Sequence, residues 1–129
     1  KQEELENVLD KAFERISRFH RELFTIRFGK NVVNLLCRDI VYLESNKRKV
    51  IVHTVRGEYE YYHKLDEAEE ELLAISADFV RIHKAYLVNM EHVEAFQYEK
   101  LALRDGTILS ISEAHRANVR SRFWEWGSE

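Results

Sequence analysis

Three short polar segments carry the side chains of this sequence that could bind an anionic partner. The first consists of four consecutive residues between two strand-like stretches, Asn46, Lys47, Arg48 and Lys49. Arginine can donate two hydrogen bonds to a guanine edge, while lysine and asparagine suit phosphate or adenine. These residue types indicate nucleic acid. On their own, however, such residues more often form a solvated hairpin loop.

The second segment is His83-Lys84, at the end of a predicted strand. Residues 80–83 alternate between apolar and polar, so Arg81 and His83 would share the face opposite the apolar pair. An apolar stretch follows, so the basic pair would lie on a short loop anchored by core residues at both ends. A surface hydrogen bond is the structural alternative for His83, and an ion pair with an acid such as Asp78 is the alternative for Arg81.

The third segment opens the last predicted helix, where Ser112 is a typical N-cap residue. Free backbone N–H groups at a helix N-terminus bind phosphate. Glu113 comes next; its carboxylate would repel phosphate but could accept a hydrogen bond from cytosine N4. His115 and Arg116, about one turn further on, are the candidate donors in this segment.

Motifs for catalysis or metal binding are missing from the sequence. Its six histidines form no HExxH or comparable ligand pair, and there is no nucleotide-binding glycine pattern or GxSxG motif. The carboxylates of Asp39, Glu44 and Asp105 are far apart in the sequence. We therefore expect no enzyme, no metal and no cofactor.

The net charge of −3 argues at first sight against a nucleic-acid partner. The acids are concentrated, however, in residues 1–22 and in residues 65–78, where six acids stand without a single lysine or arginine. The rest of the chain has 15 basic and 11 acidic residues, a net of +4. Affinity for DNA depends on local phosphate contacts, so a basic face remains possible.

A length of 129 residues fits one domain, with 45% hydrophobic residues to fill its core. No apolar run is long enough for a membrane span, and no signal peptide opens the chain, so we expect a cytoplasmic protein without membrane contact. Because residue 1 is Lys1, we expect a piece of a longer protein. The single cysteine, Cys37, is expected to be a buried small residue.

Residues 3–22 predict a helix whose apolar residues follow heptad spacing. Packing on the same domain and pairing with a second copy are both open. Short strands are predicted over residues 24–28, 32–36, 39–44, 50–55, 58–63, 93–98, 100–104 and 107–111. Gly29-Lys30-Asn31, Arg56-Gly57 and Asp105-Gly106 would form turns. An acidic helix is predicted over residues 65–75 and a final helix over residues 113–126.

Phe79 to Asn89, with the sequence Phe-Val-Arg-Ile-His-Lys-Ala-Tyr-Leu-Val-Asn, resembles the signature segment of LytTR-type (LytR/AlgR) DNA-binding domains. Asp39–Ser45, followed by the basic residues 46–49, and Leu101–Ser112 agree with the same family in order and spacing. The resemblance covers roughly residues 23–126. It implies a mostly β fold with small helices, in an elongated arrangement of short strands that presents loops to DNA.

The resemblance also implies which residues contact DNA and which partners the chain has. Arg48 and Lys49 would face a groove, Lys47 a phosphate, and Lys84 a phosphate or a narrow groove. The family usually has a basic residue where Glu113 stands. The expected partners are double-stranded DNA and a second copy of the chain on repeated sites. We expect a linker or dimerisation helix (1–22), a DNA-binding domain (23–126) and a tail (127–129), with a receiver domain of a bacterial response regulator missing.

A protein-interaction module without DNA contact is the alternative function. It would use the tyrosine-rich strand that contains Tyr59, Tyr61 and Tyr62. Such aromatic residues more often pack on the face of a sheet. The two functions differ in their response to salt, because phosphate contacts weaken steeply with ionic strength and apolar contacts do not.

Overall fold

The computed structural model describes residues 22–128 and confirms the mostly β class predicted from the sequence. Ten strands are present in this range: β1 (Leu23–Phe28), β2 (Asn31–Leu36), β3 (Ile40–Asn46), β4 (Lys49–Thr54), β5 (Gly57–Tyr62), β6 (Phe79–His83), β7 (Tyr86–Asn89), β8 (Val93–Phe96), β9 (Lys100–Leu103) and β10 (Ile108–Ser110). The α-helices are α1 (Leu65–Leu73) and α2 (Arg116–Ser128), and 3-10 helices cover Cys37–Asp39, Met90–His92 and Glu113–His115. The predicted N-terminal helix lies outside the described residues, apart from its last position.

The strands form three antiparallel sheets. The largest has five strands in the order β5-β4-β3-β7-β6, while β1 and β2 form a separate hairpin and β8, β9 and β10 form a three-stranded sheet. The turn between β1 and β2 is the predicted one, shortened to two residues, and Gly29 adopts there the positive φ of 64° that glycine tolerates best. The five-stranded sheet forms the middle layer of the molecule, because the other elements pack on its two faces.

One face of the five-stranded sheet packs against α1 and the β1–β2 hairpin. Leucine and alanine recur along α1 with helical spacing and turn inward, and the acids of its first turn suit the positive end of the helix dipole. This first core cluster consists of Phe24, Ile26, Leu35, Cys37, Ile40, Leu43, Val50, Val52, Leu65, Ala68, Leu72, Phe79 and Leu87. The expectation that Cys37 is buried is confirmed.

The opposite face packs against the three-stranded sheet and α2. This second core cluster consists of Val41, Val80, Ile82, Val88, Met90, Val93, Leu101, Leu103, Leu109, Ile111 and Val119. The prediction that Val80 and Ile82 share one face is confirmed. So is the inward face of the last helix, because Phe123 and Trp126 pack against the same cluster as Val119.

The three other predicted turns also differ from the structure. The β4–β5 turn, predicted at Arg56-Gly57, consists of Val55 and Arg56, because Gly57 begins β5. Between β3 and β4 only Lys47 and Arg48 lie outside the strands, because Asn46 pairs directly with Lys49. The β9–β10 link, predicted as two residues, has four, from Arg104 to Thr107, and the N–H of Thr107 donates to Asp105 Oδ1 at 2.9 Å. A side chain that bonds the backbone two residues on stabilises this longer loop.

Asn89 ends β7 and caps the 3-10 helix that follows, and its side chain joins distant elements as well. Its side chain is 1% exposed. Nδ2 donates to the carbonyl oxygens of Cys37 at 3.1 Å and Ile40 at 2.9 Å, and Oδ1 accepts from the N–H of Glu91 at 3.0 Å. One amide thus connects the end of β7 to the 3-10 helix that precedes β3.

Candidate nucleic-acid interface

The β3–β4 turn and the β6–β7 turn lie next to each other at one end of the five-stranded sheet, which we call the basic end. Strands β3 and β7 are neighbours, and Glu44 pairs with Tyr86 near the tips of both hairpins. The N–H of Ser45 donates to the carbonyl oxygen of Ala85 at 2.8 Å. The fold therefore brings the first two predicted segments together, although 33 residues separate them in the sequence.

The four residues of the first segment differ in their freedom to meet a ligand. Asn46, Lys47 and Arg48 are exposed, and neither Lys47 nor Arg48 forms an ion pair with any residue of the range 22–128. Lys49 Nζ, in contrast, lies 2.8 Å from Glu60 Oε1 and 4.9 Å from the ring centroid of Tyr62. The hydrogen bond that Lys49 donates to Glu60, followed by the negative charge of that carboxylate, raises the pKa of Lys49 above its usual value. Lys49 is thus partly engaged within the protein, while the charged groups of Lys47 and Arg48 have no ion-pair partner in the described range.

The second segment ends β6 and begins the β6–β7 turn. The expectation that His83 shares a face with Arg81 is wrong, because the pairing of β6 with β7 shifts register between these two residues. The His83 ring lies 5.2 Å from that of Tyr86, which packs on the second core cluster. His83 Nδ1 accepts from the N–H of Ala85 at 3.1 Å, and Lys84 is exposed.

The charge of His83 is set by its surroundings. Partial burial, followed by the positive charges of Lys84, His115 and Arg81, lowers the pKa of His83 below its usual 6.5. The ring is therefore mainly neutral at pH 7, with Nδ1 as acceptor and Nε2 as donor. A neutral imidazole can still donate one hydrogen bond to a phosphate or a base.

The third segment lies beside the second. The N–H of Ser112 donates to the carbonyl oxygen of Ile82 at 2.9 Å, which ties it to the end of β6. The helix predicted from residue 113 begins as a 3-10 helix and becomes α-helical only at Arg116. The expectation of a side-chain N-cap is wrong, because the Ser112 hydroxyl lies 2.6 Å from His115 Nδ1 and bonds no backbone N–H.

The side chain of Arg116 is engaged by residues that belong to neither basic turn. Its Nε donates to the carbonyl oxygen of Ile111 at 3.1 Å, and its guanidinium lies 5.7 Å from the ring centroid of Tyr98. Glu113, at the position where the resemblance implies a basic residue, is exposed. Of the third segment, Ser112 and His115 are thus the residues closest to the second segment.

A groove of about 780 Å³ opens between the two turns and the junction of β5 with α1. We call it the basic groove; it is lined by Ser45, Lys47, Arg48, Tyr62, His63, Lys64, Leu65, Asp66, Arg81 and Lys84. Sequence reasoning missed Lys64 and Tyr62 as candidate contacts. Lys64 is the lone cation before a helix rich in acids, and that isolation is the signal that could have singled it out.

The acids of α1 that adjoin the basic groove are paired. Arg81 bonds both Asp66 and Glu69. The alternative considered for Arg81, an ion pair with an acid, is therefore confirmed, although the acids belong to α1 and Asp78 is not among them. His63 Nε2 lies 3.1 Å from Glu71 Oε1. The charges of Asp66 and Glu69 are therefore partly offset by Arg81, which limits their repulsion of an anion.

The three carboxylates considered for catalysis do not form one site. Glu44 and Asp105 both lie near His53. Glu44 also acts on Tyr42, because burial, followed by the charge of Glu44, raises the pKa of the Tyr42 hydroxyl to about 12. Asp39 is the last residue of the 3-10 helix that precedes β3, at the opposite end of that strand from Asn46. Among the residues that the structure describes, no group of three or more His, Cys, Asp or Glu side chains is placed to hold a metal ion.

No described helix combines the length and the apolar character needed to cross a bilayer.

The fold is that of a β-rich domain with two exposed cationic turns at one end of its central sheet. The model of the LytTr DNA-binding domain family matches residues 30–124 of the sequence. The chain belongs to this family, and the resemblance noted in the sequence is confirmed.

The chain is also similar to two Bacillus proteins. Sensory transduction protein LytT of Bacillus subtilis (strain 168) is 25% identical over 97 residues, which are 71% of this chain and 39% of LytT. The chain thus spans about two fifths of that relative's length. The solved LytTr DNA-binding domain of a Bacillus cereus protein described as a methyl-accepting/DNA response regulator matches with a TM-score of 0.66 at 20% identity. This match covers 78% of this chain and 95% of that domain and shows a shared fold.

Proposed function

We propose that this chain is the DNA-binding output domain of a bacterial transcriptional response regulator, and that its basic end reads double-stranded DNA. The observation that carries the proposal is that two cationic turns, with Lys47 and Arg48 in one and Lys84 in the other, meet at one end of a sheet, with the third segment beside them. Family membership supports DNA as the partner. The role requires no reaction on the DNA and places the chain in the cytoplasm, with the chromosome.

The spacing of the turns suits a duplex. The centres of the β3–β4 and β6–β7 turns are two inter-strand intervals apart, about 10 Å at roughly 4.8 Å per interval. This is close to the width of the major groove, about 12 Å, and exceeds that of the minor groove, about 6 Å. The 3-10 helix Glu113–His115 extends the row beyond β6. The two turns can therefore enter one major groove while the third segment contacts the neighbouring backbone.

Four cations supply the electrostatic attraction: Lys47, Arg48, Lys64 and Lys84. None of them forms an ion pair with another residue in the described range. Each phosphate contact on B-DNA contributes about −0.9 to the slope of log affinity against log salt. We expect a slope of about −3 to −4 per domain if all four reach phosphates.

Dimerisation and control by a receiver domain are part of the proposal. The heptad spacing of residues 3–22 supports pairing of two copies, which would suit repeated sites in a promoter. LytT is more than twice as long as the segment it shares with this chain, which leaves room for a further domain. Phosphorylation of such a domain would promote the pairing.

The tyrosine-rich strand offers less support for the alternative interaction module. Tyr59 and Tyr61 pack against the first core cluster, and only Tyr62, at 75% exposure, faces outward. Tyr62 also lines the basic groove next to Lys49. Its ring is placed to pack against a sugar or a base.

The test begins with selection of bound sequences from a library of random duplexes, using the 129-residue chain. Affinity for the enriched duplex is then measured by fluorescence anisotropy across a salt titration. We expect Arg48→Ala and Lys84→Ala each to weaken specific binding by about tenfold while the melting temperature stays close to that of the wild type. Each should also make the salt slope shallower by about 0.9 if the side chain contacts a phosphate.

Arg56→Ala is the matched control. Arg56 is an exposed cation in the β4–β5 turn, at the opposite end of the same sheet. We expect this variant to bind as the wild type does. Unchanged affinity in both Arg48→Ala and Lys84→Ala would refute the assignment of the basic end.

A further inference from the structure

The guanidinium of Arg81 lies between the β6–β7 turn and the beginning of α1, and its side chain is 12% exposed. Nε donates to the carbonyl oxygen of His83 at 2.8 Å, and Nη2 donates to that of Lys84 at 2.6 Å. Nη1 donates to Asp66 Oδ1 at 2.7 Å and to Glu69 Oε1 at 2.8 Å. One planar group therefore bonds two successive carbonyls of the turn and two carboxylates of the helix.

We propose that Arg81 is a positioning residue for DNA recognition, which holds the backbone of the β6–β7 turn so that His83 and Lys84 meet the duplex in one fixed geometry. The proposal rests on the function proposed above, because it assumes that this turn contacts DNA. Four of the five guanidinium N–H groups are already used inside the protein. Arg81 acts through the turn and makes no contact with DNA itself.

Arginine is suited to this place by its shape. Its N–H groups point in fixed directions within one plane, whereas a lysine ammonium is a single point that cannot reach both carbonyls and both carboxylates at once. The charge of Arg81 is also more than offset, because Asp66 and Glu69 together carry two negative charges against one positive. This trio adds no net attraction for phosphate, so its contribution to binding is geometric.

The turn has other supports, which make the effect of Arg81 local. The carbonyl oxygen of Ala85 accepts from the N–H of Ser45 at 2.8 Å, and the N–H of Ala85 donates to His83 Nδ1 at 3.1 Å. Strands β6 and β7 remain paired by their ladder when Arg81 is replaced. Loss of Arg81 should therefore loosen the tip of the hairpin while the sheet stays folded.

The first test uses the free protein and the double variant R81M/D66N. This variant removes one positive and one negative charge, so the net charge around the turn equals that of the wild type. We expect the amide of Ala85 to exchange its hydrogen about tenfold faster than in the wild type, while the amide of Leu43, within β3, exchanges at the wild-type rate. Equal exchange at Ala85 in both proteins would overturn the proposal.

The second test measures binding to the duplex enriched by the wild type and to a duplex of unrelated sequence. R81M/D66N should lose about tenfold in affinity for the enriched duplex, with affinity for the unrelated duplex and the salt slope unchanged. Arg81→Lys should show the same selective loss, although it keeps the charge. A salt slope shallower by about 0.9, or full retention of specific affinity in Arg81→Lys, would overturn the proposal.

Failure of this inference differs from failure of the proposed function. If the wild-type chain bound no duplex from the library, the proposed function would be wrong. In that case, unchanged exchange at Ala85 in R81M/D66N would also refute the role of Arg81 in fixing the turn. Faster exchange in this variant would support that structural role, without a role in DNA binding.

Discussion

Lys47, at the tip of the β3–β4 turn, adopts a φ of 61°. Of the non-glycine residues that the structure describes, it alone has a positive φ. The left-handed conformation costs an ordinary L-residue roughly 1–2 kcal/mol, whereas asparagine tolerates it better. A lysine kept at such a position suits a role in binding, because strained residues gather at functional sites.

Lys47→Asn should therefore raise stability and lower DNA affinity together. We expect a gain of about 0.5–1 kcal/mol in the free energy of unfolding, since asparagine relieves part of the backbone strain. Urea denaturation measures the first effect and a salt titration of DNA binding the second. A variant that loses stability would show that the tip is not strained.

His83 makes a second residue-scale prediction, which concerns pH. Because its pKa is lowered in the free protein, a nearby phosphate in the complex should raise it again. Binding should then take up a proton, and affinity should increase as pH falls through 6.5 and below. Calorimetry in buffers of different ionisation enthalpy measures this uptake directly.

His83→Gln should reduce the proton uptake relative to the wild type. Stability has the opposite dependence on pH: the unfolded chain binds a proton more readily than folded His83, so the free energy of unfolding falls as pH drops from 6.5 through the lowered pKa. Unaltered uptake in the variant would show that His83 lies away from the DNA.

At the scale of elements, sequence patterns predicted what depends on local periodicity. The alternation of Val80 and Ile82 located β6 and its inward face, and helical spacing located α1. The register shift after Arg81 was not predictable, because it depends on how β6 pairs with β7. The same holds for the bonds from Arg81 to α1, which join residues 12 and 15 positions apart through the tertiary fold.

Asn89 provides the element-scale prediction. Asn89→Ala would leave the buried carbonyls of Cys37 and Ile40 and the N–H of Glu91 without this partner. An unsatisfied buried polar group costs about 1–3 kcal/mol, so we expect a loss of roughly 2–3 kcal/mol in the free energy of unfolding.

Urea denaturation measures that loss. Asn34→Ala serves as the control, because Asn34 is exposed and bonds only Thr25 among the residues described. The expected change there is within about 0.5 kcal/mol. Equal effects of the two substitutions would contradict the linking role of Asn89.

For the molecule as a whole, net charge was a poor guide to the partner. The total of −3 conceals the basic end, because the fold gathers Lys47, Arg48, Lys64 and Lys84 and pairs the acids that adjoin them. The three segments could be chosen from residue types and the family resemblance. Their meeting at one end of a sheet, and the position of Lys64 in the same groove, required the structure.

Both core clusters pack on the same central sheet, so we expect them to unfold together. Burial, followed by the charges of Glu22 and Asp78, raises the pKa of Cys37 to about 12, which leaves the thiol unreactive in the folded protein. Labelling of Cys37 reports the first cluster, and tryptophan fluorescence from α2 reports the second. Their urea midpoints should coincide, and two separate midpoints would show independent units.

The end of α2 limits how far the protein can be shortened. Arg122 Nη2 donates to the carbonyl oxygens of Ala77 at 2.7 Å and Phe79 at 2.9 Å, and Trp126 Nε1 donates to Asp78 Oδ1 at 3.1 Å. The family match stops at residue 124. A truncation at that boundary would remove Trp126, and with it the hydrogen bond to Asp78 in the segment that leads into β6. Trimming for crystallisation or for fusion to another domain should therefore spare Trp126.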